Sequence, residues 1–82
     1  MAIDTKLESF LGDARIALGA LSSKDRSVAG LVDRVGELRY SEGVLVGFLE
    51  ALVLTDPDSA RIAAPRIEGF ISEAIAARIL LV

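Results

Sequence analysis

The chain lacks cysteine and histidine entirely, and its 82 residues include no tryptophan, one tyrosine and two prolines. Without cysteine there are no disulfides and no thiolate metal ligands. Without histidine the usual general base at neutral pH is also missing. Because a short chain has a thin core, small domains commonly depend on disulfides, metals or association. Tight helix packing and association are the means of stabilisation that remain.

Apolar residues are abundant instead. They make up 52% of the chain before its seven glycines are counted, whereas an average globular domain is about 45–50% apolar with glycine included. A small monomer has little interior in which to bury such an excess, and large exposed apolar patches mark interaction sites. We interpret the surplus as an interface. The alternative is a compact monomer that carries many alanines on its surface.

The net charge is small and negative, and all of it comes from the C-terminal half. Six Lys/Arg balance six Asp/Glu in residues 1–41, whereas three oppose six in residues 42–82, which gives the net charge of −3. A nucleic-acid-binding surface needs a basic stripe, and anionic membranes attract basic segments. Neither nucleic acid nor a membrane surface is therefore an expected partner.

No segment has the pattern of a signal peptide or a membrane span. Asp4, Lys6 and Glu8 interrupt any apolar region near the N-terminus, and the run 44–49 is broken by Glu50. A membrane span needs about 20 apolar residues. We therefore expect a cytoplasmic protein, or one inside an intracellularly assembled particle.

Helical periodicity dominates the first segment, where Asp4 or Thr5 is the expected N-cap and Glu8 has the spacing of a capping box. Spacings of three and four place one set of apolar residues on a single helix face: Ile3, Leu7, Phe10, Ala14, Ala17 and Leu21. Gly12 and Gly19 lie on another flank. They indicate either a close neighbouring helix or tolerated glycines.

A short polar stretch, 22–27, predicts a turn between antiparallel helices. The second helix begins near Asp25 or Ser27, and its apolar repeat continues in phase to Leu52. One helix of about 28 residues, roughly 42 Å long, is favoured. A break at 41–43 is the alternative, since Ser41 could cap a new helix and Gly43 weakens the old one.

Prolines define the third segment. Thr55 or Asp56 should cap a helix that has Pro57 at its first position. Pro65 lacks the N–H that would bond to Arg61, which predicts a kink or break at 63–65. The fold class is therefore all-α, a single domain over 1–82. We expect a small bundle of three principal helices, or four or five if both breaks occur.

No sequence motif supports catalysis or cofactor binding. Lys6 and Lys24 lie in polar surroundings that do not lower a lysine pKa, and no phosphate-binding or nucleophile motif occurs. Asp56 and Asp58 could touch a divalent cation, but the stretch lacks the glycine and terminal glutamate of a calcium loop. Helix capping explains them better. We therefore predict no enzyme, and no catalytic, cofactor, metal or small-molecule site.

The candidate interface lies where apolar residues surround the helix on every side, around 44–54 and 67–82. A helix that is apolar all round is normally buried all round, and two neighbours in one short chain cover it poorly. Nine residues are the candidates: Leu45, Phe48, Leu49, Leu52, Val53, Phe70, Ile71, Ile75 and Leu81.

Two further features of the middle segment are open. Gly43 and Gly47 have the spacing that lets helix backbones approach closely, within the chain or between chains. Glu50 is the only charged residue between Gly43 and Thr55. It either marks a water-facing side or pairs with Arg39, Arg66 or Arg78, in the chain or across an interface.

The sequence therefore favours a non-enzymatic, self-associating subunit, structural or scaffolding in kind. A component of a larger particle, such as a viral or phage assembly, is one form of this hypothesis. The alternative is a small helical adaptor or inhibitor that binds a different protein through the acidic, apolar C-terminal half. A carboxylate enzyme or metal binder and a nucleic-acid-binding protein are weaker hypotheses.

Overall fold

The computed structural model describes residues 2–22 and 27–81, which form three helices. These are α1 (Ala2–Ala20), α2 (Val28–Thr55) and α3 (Pro57–Leu81). Helix α2 packs against both others, more extensively than α1 and α3 pack against each other. The prediction of an all-α bundle of three principal helices is confirmed.

Helix α1 begins earlier than its sequence predicts. It starts at Ala2, so Asp4 and Thr5 lie inside the helix and neither is its N-cap. Its last turn tightens, because the Leu21 amide donates to the Leu18 carbonyl at 3.2 Å, three residues back. Most of the predicted turn at 22–27 lies outside the described residues.

Helix α2 is continuous over 28 residues, so the alternative of a break at 41–43 is wrong. Its N-cap is Ser27, whose side-chain oxygen accepts a hydrogen bond from the Gly30 amide at 3.1 Å. It ends at Thr55, because Pro57 keeps the preceding residue, Asp56, out of helical geometry.

A single residue, Asp56, links α2 to α3 and caps both helices. Its amide donates to the Leu52 carbonyl at 2.7 Å. Its carboxylate accepts from the Ser59 amide at 3.2 Å and from the Ser59 hydroxyl at 2.7 Å. The capping interpretation of Asp56 is therefore confirmed, whereas Asp58 is exposed and pairs with Arg61 one turn on, at 3.3 Å.

The predicted break at 63–65 does not occur, because α3 runs unbroken through Pro65. Proline removes one hydrogen bond to the Arg61 carbonyl. Pro65 and Arg61 are both on the exposed side, where water can bind that carbonyl. On the inner side the buried residues keep an uninterrupted three-and-four spacing: Ala60, Ala63, Ile67, Phe70 and Ala74. Continued burial of that side holds the helix together.

The core is a narrow apolar seam shared by all three helices. From α2 it contains only Leu38, Leu45 and Leu52, spaced seven residues apart. Helix α1 contributes mainly small and aliphatic residues, among them Leu11, which lies outside the predicted stripe. Phe10 and Phe48 meet beside the seam edge to face, with ring centroids 5.2 Å apart.

Ion pairs join the helices around this seam. Glu8 and Arg66 join α1 to α3 at 2.5 Å, and Arg15 lies 3.6 Å from Glu73. Arg78 of α3 pairs with Glu42 of α2. The Arg78–Glu42 pair is half-buried, whereas the other two pairs are exposed and each contribute up to about 1 kcal/mol. Burial of the seam therefore supplies most of the stability.

Candidate self-association surface

Several of the predicted interface residues belong to the core instead. Leu45, Leu52 and Phe70 are almost completely buried, with Phe70 only 1% exposed. They cannot contact a partner in this fold, and their assignment to an interface is corrected here. The seam of one chain already covers them. The side chain of Leu81 lies outside the described residues.

The other candidates lie at or near the surface. Phe48, Leu49 and Ile71 are half-buried and pack against the core cluster. Val53 and Ile75 are exposed. Of these five, Val53 lies on the flank of α2 beside α3, at the edge of the surface on which most exposed apolar residues of α2 are found.

We call this surface the outer face of α2. Its residues are all exposed, and their helical spacing places them opposite Leu38 and Leu45 or on the flank beside α3. Glu37 is also exposed and borders this surface on the flank beside α1. They are Val28, Ala29, Val32, Asp33, Gly36, Arg39, Tyr40, Gly43, Val46, Gly47, Glu50, Ala51, Val53 and Leu54. Only three of the fourteen are charged.

The large side chains on this face are strongly exposed. Leu54 is 85% exposed, Tyr40 75% and Val32 63%. Scattered apolar residues are normal on a protein surface, but a contiguous apolar patch marks an interaction site. Here the exposed residues follow one another along nearly the whole helix, which is about 42 Å long.

The glycines of α2 make this face flat. A Cβ placed on Gly36, Gly43 or Gly47 would meet no heavy atom within 4 Å. Close packing within the chain, one of the two alternatives for Gly43 and Gly47, is therefore wrong, and so is the alternative of a close neighbouring helix within the chain at Gly12 and Gly19. Nothing in the described part of the chain requires a glycine at these positions, although each costs a helix about 1 kcal/mol relative to alanine.

Shallow grooves border the outer face on both sides. The α1–α2 groove has a volume of about 440 Å³, and Ile16, Gly36, Glu37 and Tyr40 are among its lining residues. The α2–α3 groove, about 300 Å³, is almost wholly apolar, and Leu49 and Val53 line part of it. The accessible apolar surface therefore extends from α2 onto both neighbouring helices.

Arg39 and Glu50 are the charged residues nearest the middle of the outer face. Both are exposed, and no ion pair joins either one to another residue of the described part of the chain. Arg66 and Arg78, the other arginines considered as partners for Glu50, pair with Glu8 and Glu42. The interpretation of Glu50 as a marker of the water-facing side of α2 is confirmed for the single chain.

The molecule also exposes more surface than its mass predicts. Its accessible area is 5390 Å², whereas a compact monomer of 8.7 kDa exposes about 4,700 Å². Its radius of gyration is 13.8 Å, against about 11.7 Å for a compact domain of this length. The long, thin shape of 43 × 20 × 14 Å explains both values.

Neither a metal cluster nor a membrane span accompanies this surface. Within residues 2–22 and 27–81, no group of three or more acidic residues is placed to hold a metal ion. None of the described helices has an apolar stretch of the length needed to cross a bilayer.

The fold and surface together define a class, an elongated three-helix bundle with one uncovered apolar helix face. No family model, curated protein or solved structure shows a significant match to this chain.

Proposed function

We propose that this chain is a self-associating, non-enzymatic subunit that assembles through the outer face of α2. One observation carries the proposal: the longest helix is apolar both towards the core and away from it. Water-exposed apolar surface is unfavourable by about 25 cal/mol per Å². Association with a second apolar surface removes that cost.

The area of the molecule supports this proposal. Its surface exceeds that of a compact monomer by roughly 700 Å². A standard specific interface removes about 800 Å² from each partner. One contact along α2 would therefore remove about as much area from each chain as this excess.

The first experiment is the solution mass of the purified chain, measured by light scattering after size exclusion across a dilution series. We expect a species of at least twice the 8.7 kDa chain mass that dissociates on dilution. A monomer at every concentration would overturn the proposal.

A matched pair of variants locates the contact. Gly43→Glu puts a charge at the middle of the outer face, and Gly69→Glu makes the same change on the exposed side of α3. Both glycines have open space around them, so both variants should fold. We expect Gly43→Glu alone to dissociate the assembly. Equal loss in both variants would contradict a contact through α2.

A foreign protein partner is the second candidate function, favoured by one observation. Ile79 and Leu80 lie exposed near the C-terminal end of α3, in the acidic half of the chain. An adaptor or inhibitor that binds there would be monomeric alone and would bind a partner that is basic around the contact. Retained self-association in Leu80→Glu, with loss in Gly43→Glu, would favour the first proposal over this one.

A further inference from the structure

We infer that two copies of this chain pair through their α2 helices in antiparallel orientation, with Arg39 of each copy opposite Glu50 of the other. The inference rests on the proposed self-association and adds the geometry of the contact and the residues that select it. Its physical basis is the arrangement of charge on the outer face of α2.

Arg39 and Glu50 are too far apart to pair within one helix. Eleven residues separate them, which is about 16 Å along the axis. The midpoint between them lies at position 44.5. A two-fold axis that passes between the two helices level with this point, perpendicular to both, makes them antiparallel. It places the partner's Glu50 level with Arg39, and the equivalent pair forms on the other side of the axis. One symmetric contact therefore forms two Arg39–Glu50 pairs, one at each end.

Parallel pairing has the opposite electrostatic consequence. It would set Arg39 against the partner's Arg39 and Glu50 against the partner's Glu50, and like charges across an interface are unfavourable. Parallel helix dipoles would also repel, whereas antiparallel dipoles attract. Asp33, the remaining charged residue of the outer face, lies about 17 Å from the midpoint, near the end of the helix.

The small and large residues of the outer face are also arranged symmetrically about this midpoint. Gly43 and Gly47 of one helix lie level with Gly47 and Gly43 of the other to within about 1.5 Å, and Gly36 lies level with the partner's Leu54 to within about 1.5 Å. Small residues at a crossing let two backbones approach closely, and a large side chain opposite a glycine fills the space it leaves. Large exposed residues thus face small ones along the contact.

Charge reversal tests the pairing of Arg39 with Glu50. Arg39→Glu and Glu50→Arg should each raise the dimer dissociation constant about tenfold, because each replaces two attractive pairs with two repulsive ones. The double variant should return the constant to near the wild-type value. Rescue cannot come from within one chain, since the two positions are about 16 Å apart. Failure of rescue would overturn the inferred register.

Disulfide cross-linking tests the orientation of the two helices, and the chain has no natural cysteine that could form a competing disulfide. A disulfide needs Cα atoms within about 7 Å. In the antiparallel pair, a mixture of Gly36→Cys and Leu54→Cys should cross-link between the two variants, since shortening the side chain at position 54 leaves room for the one added at position 36. Leu54→Cys alone should form no disulfide on oxidation, because the two positions are about 28 Å apart.

The outcomes separate this inference from the proposed function. Cross-linking of Leu54→Cys to itself would show a parallel pair, which overturns the inference and leaves self-association standing. A dimer by light scattering that none of these variants cross-links would also overturn it. A wild-type chain that is monomeric at every concentration would remove the proposed function and this inference together.

Discussion

The exposed sides of α1 and α2 differ in chemistry although both helices contribute to the same core. The exposed positions of α1 are mostly polar or charged, with Ile16 as the one strongly exposed large apolar residue among its described positions. The exposed positions of α2 include Val32, Tyr40, Val53 and Leu54. Helix α1 has the composition of a helix at a protein–water boundary. Helix α2 has the composition of a helix enclosed on all sides, and the single chain encloses only half of it.

The largest expected effect is the loss of stability on truncating a residue of the inner side of α2, compared with one of its outer side. Leu45→Ala should lower the free energy of unfolding by about 2–5 kcal/mol, because it leaves a cavity at a fully buried position. Leu54→Ala should change it by no more than about 0.5 kcal/mol in the dissociated chain, since that side chain is exposed. Urea denaturation at low protein concentration measures both.

Leu54→Ala should instead weaken self-association. If the two variants lost equal stability as dilute monomers, Leu54 would be part of the core and the distinction between the two sides of α2 would fail.

Glycine substitution gives an intermediate effect and compares α2 with α1 directly. Gly43→Ala and Gly12→Ala should each stabilise the monomer by about 1 kcal/mol, because alanine is the better helix former and the added Cβ meets open space. Only Gly43→Ala should weaken self-association, since its Cβ would hold two α2 helices apart.

Thermal denaturation and light scattering on the same two samples separate the effects on stability and association. Unchanged association in Gly43→Ala would remove close helix approach from the proposed contact. Weakened association in Gly12→Ala would extend the contact to α1.

The smallest effect concerns the Asp56 link between α2 and α3, away from both outer sides. The hydrogen bond from the Ser59 hydroxyl, followed by that from the Ser59 amide, lowers the pKa of the Asp56 carboxyl below its ordinary value of 3.8. Because the folded-state pKa is the lower one, this stabilisation is complete above about pH 4. It is lost as the pH falls through the folded-state pKa.

Asp56→Asn should keep the cap, because asparagine is also a good N-cap, and should remove this pH dependence. The melting temperatures of wild type and variant should agree within a few degrees at pH 7, and the difference between them should change below pH 4. A difference that stays constant from pH 7 to pH 2 would mean that the cap does not depend on the charge of Asp56.

Local patterns in the sequence were sufficient to predict most of the fold. The polar stretch before Ser27 and the Asp56–Pro57 pair bound a helix of the predicted length, because caps and proline act through neighbouring residues. The error at Pro65 came from weighing one lost hydrogen bond above the apolar repeat on either side of it. The unbroken spacing from Ala60 to Ala74 was the signal that favours continuity.

The candidate surface was harder to predict than the helices. Region 44–54 was correctly expected to be apolar on every side, yet Leu45 and Leu52 proved to be core residues and Val53 a surface residue. The exposed Val32 and Tyr40 were not among the predicted interface residues. The apolar repeat that runs in phase to Leu52 does mark the inner side of α2, but the apolar residues on its other sides weaken the contrast that separates core from surface.

The sequence by itself determined the three helices, the caps at Ser27 and Asp56 and the surplus of apolar residues, since all of these depend on composition and on neighbours within a few positions. Only the tertiary structure decided which apolar residues of α2 are covered and which stay exposed. Helices α1 and α3 cover Leu38, Leu45 and Leu52 and leave the opposite side in water. Two helices can enclose about half the circumference of a third, and the packing of those neighbours, which the sequence of α2 does not specify, sets how much of its apolar surface stays in water.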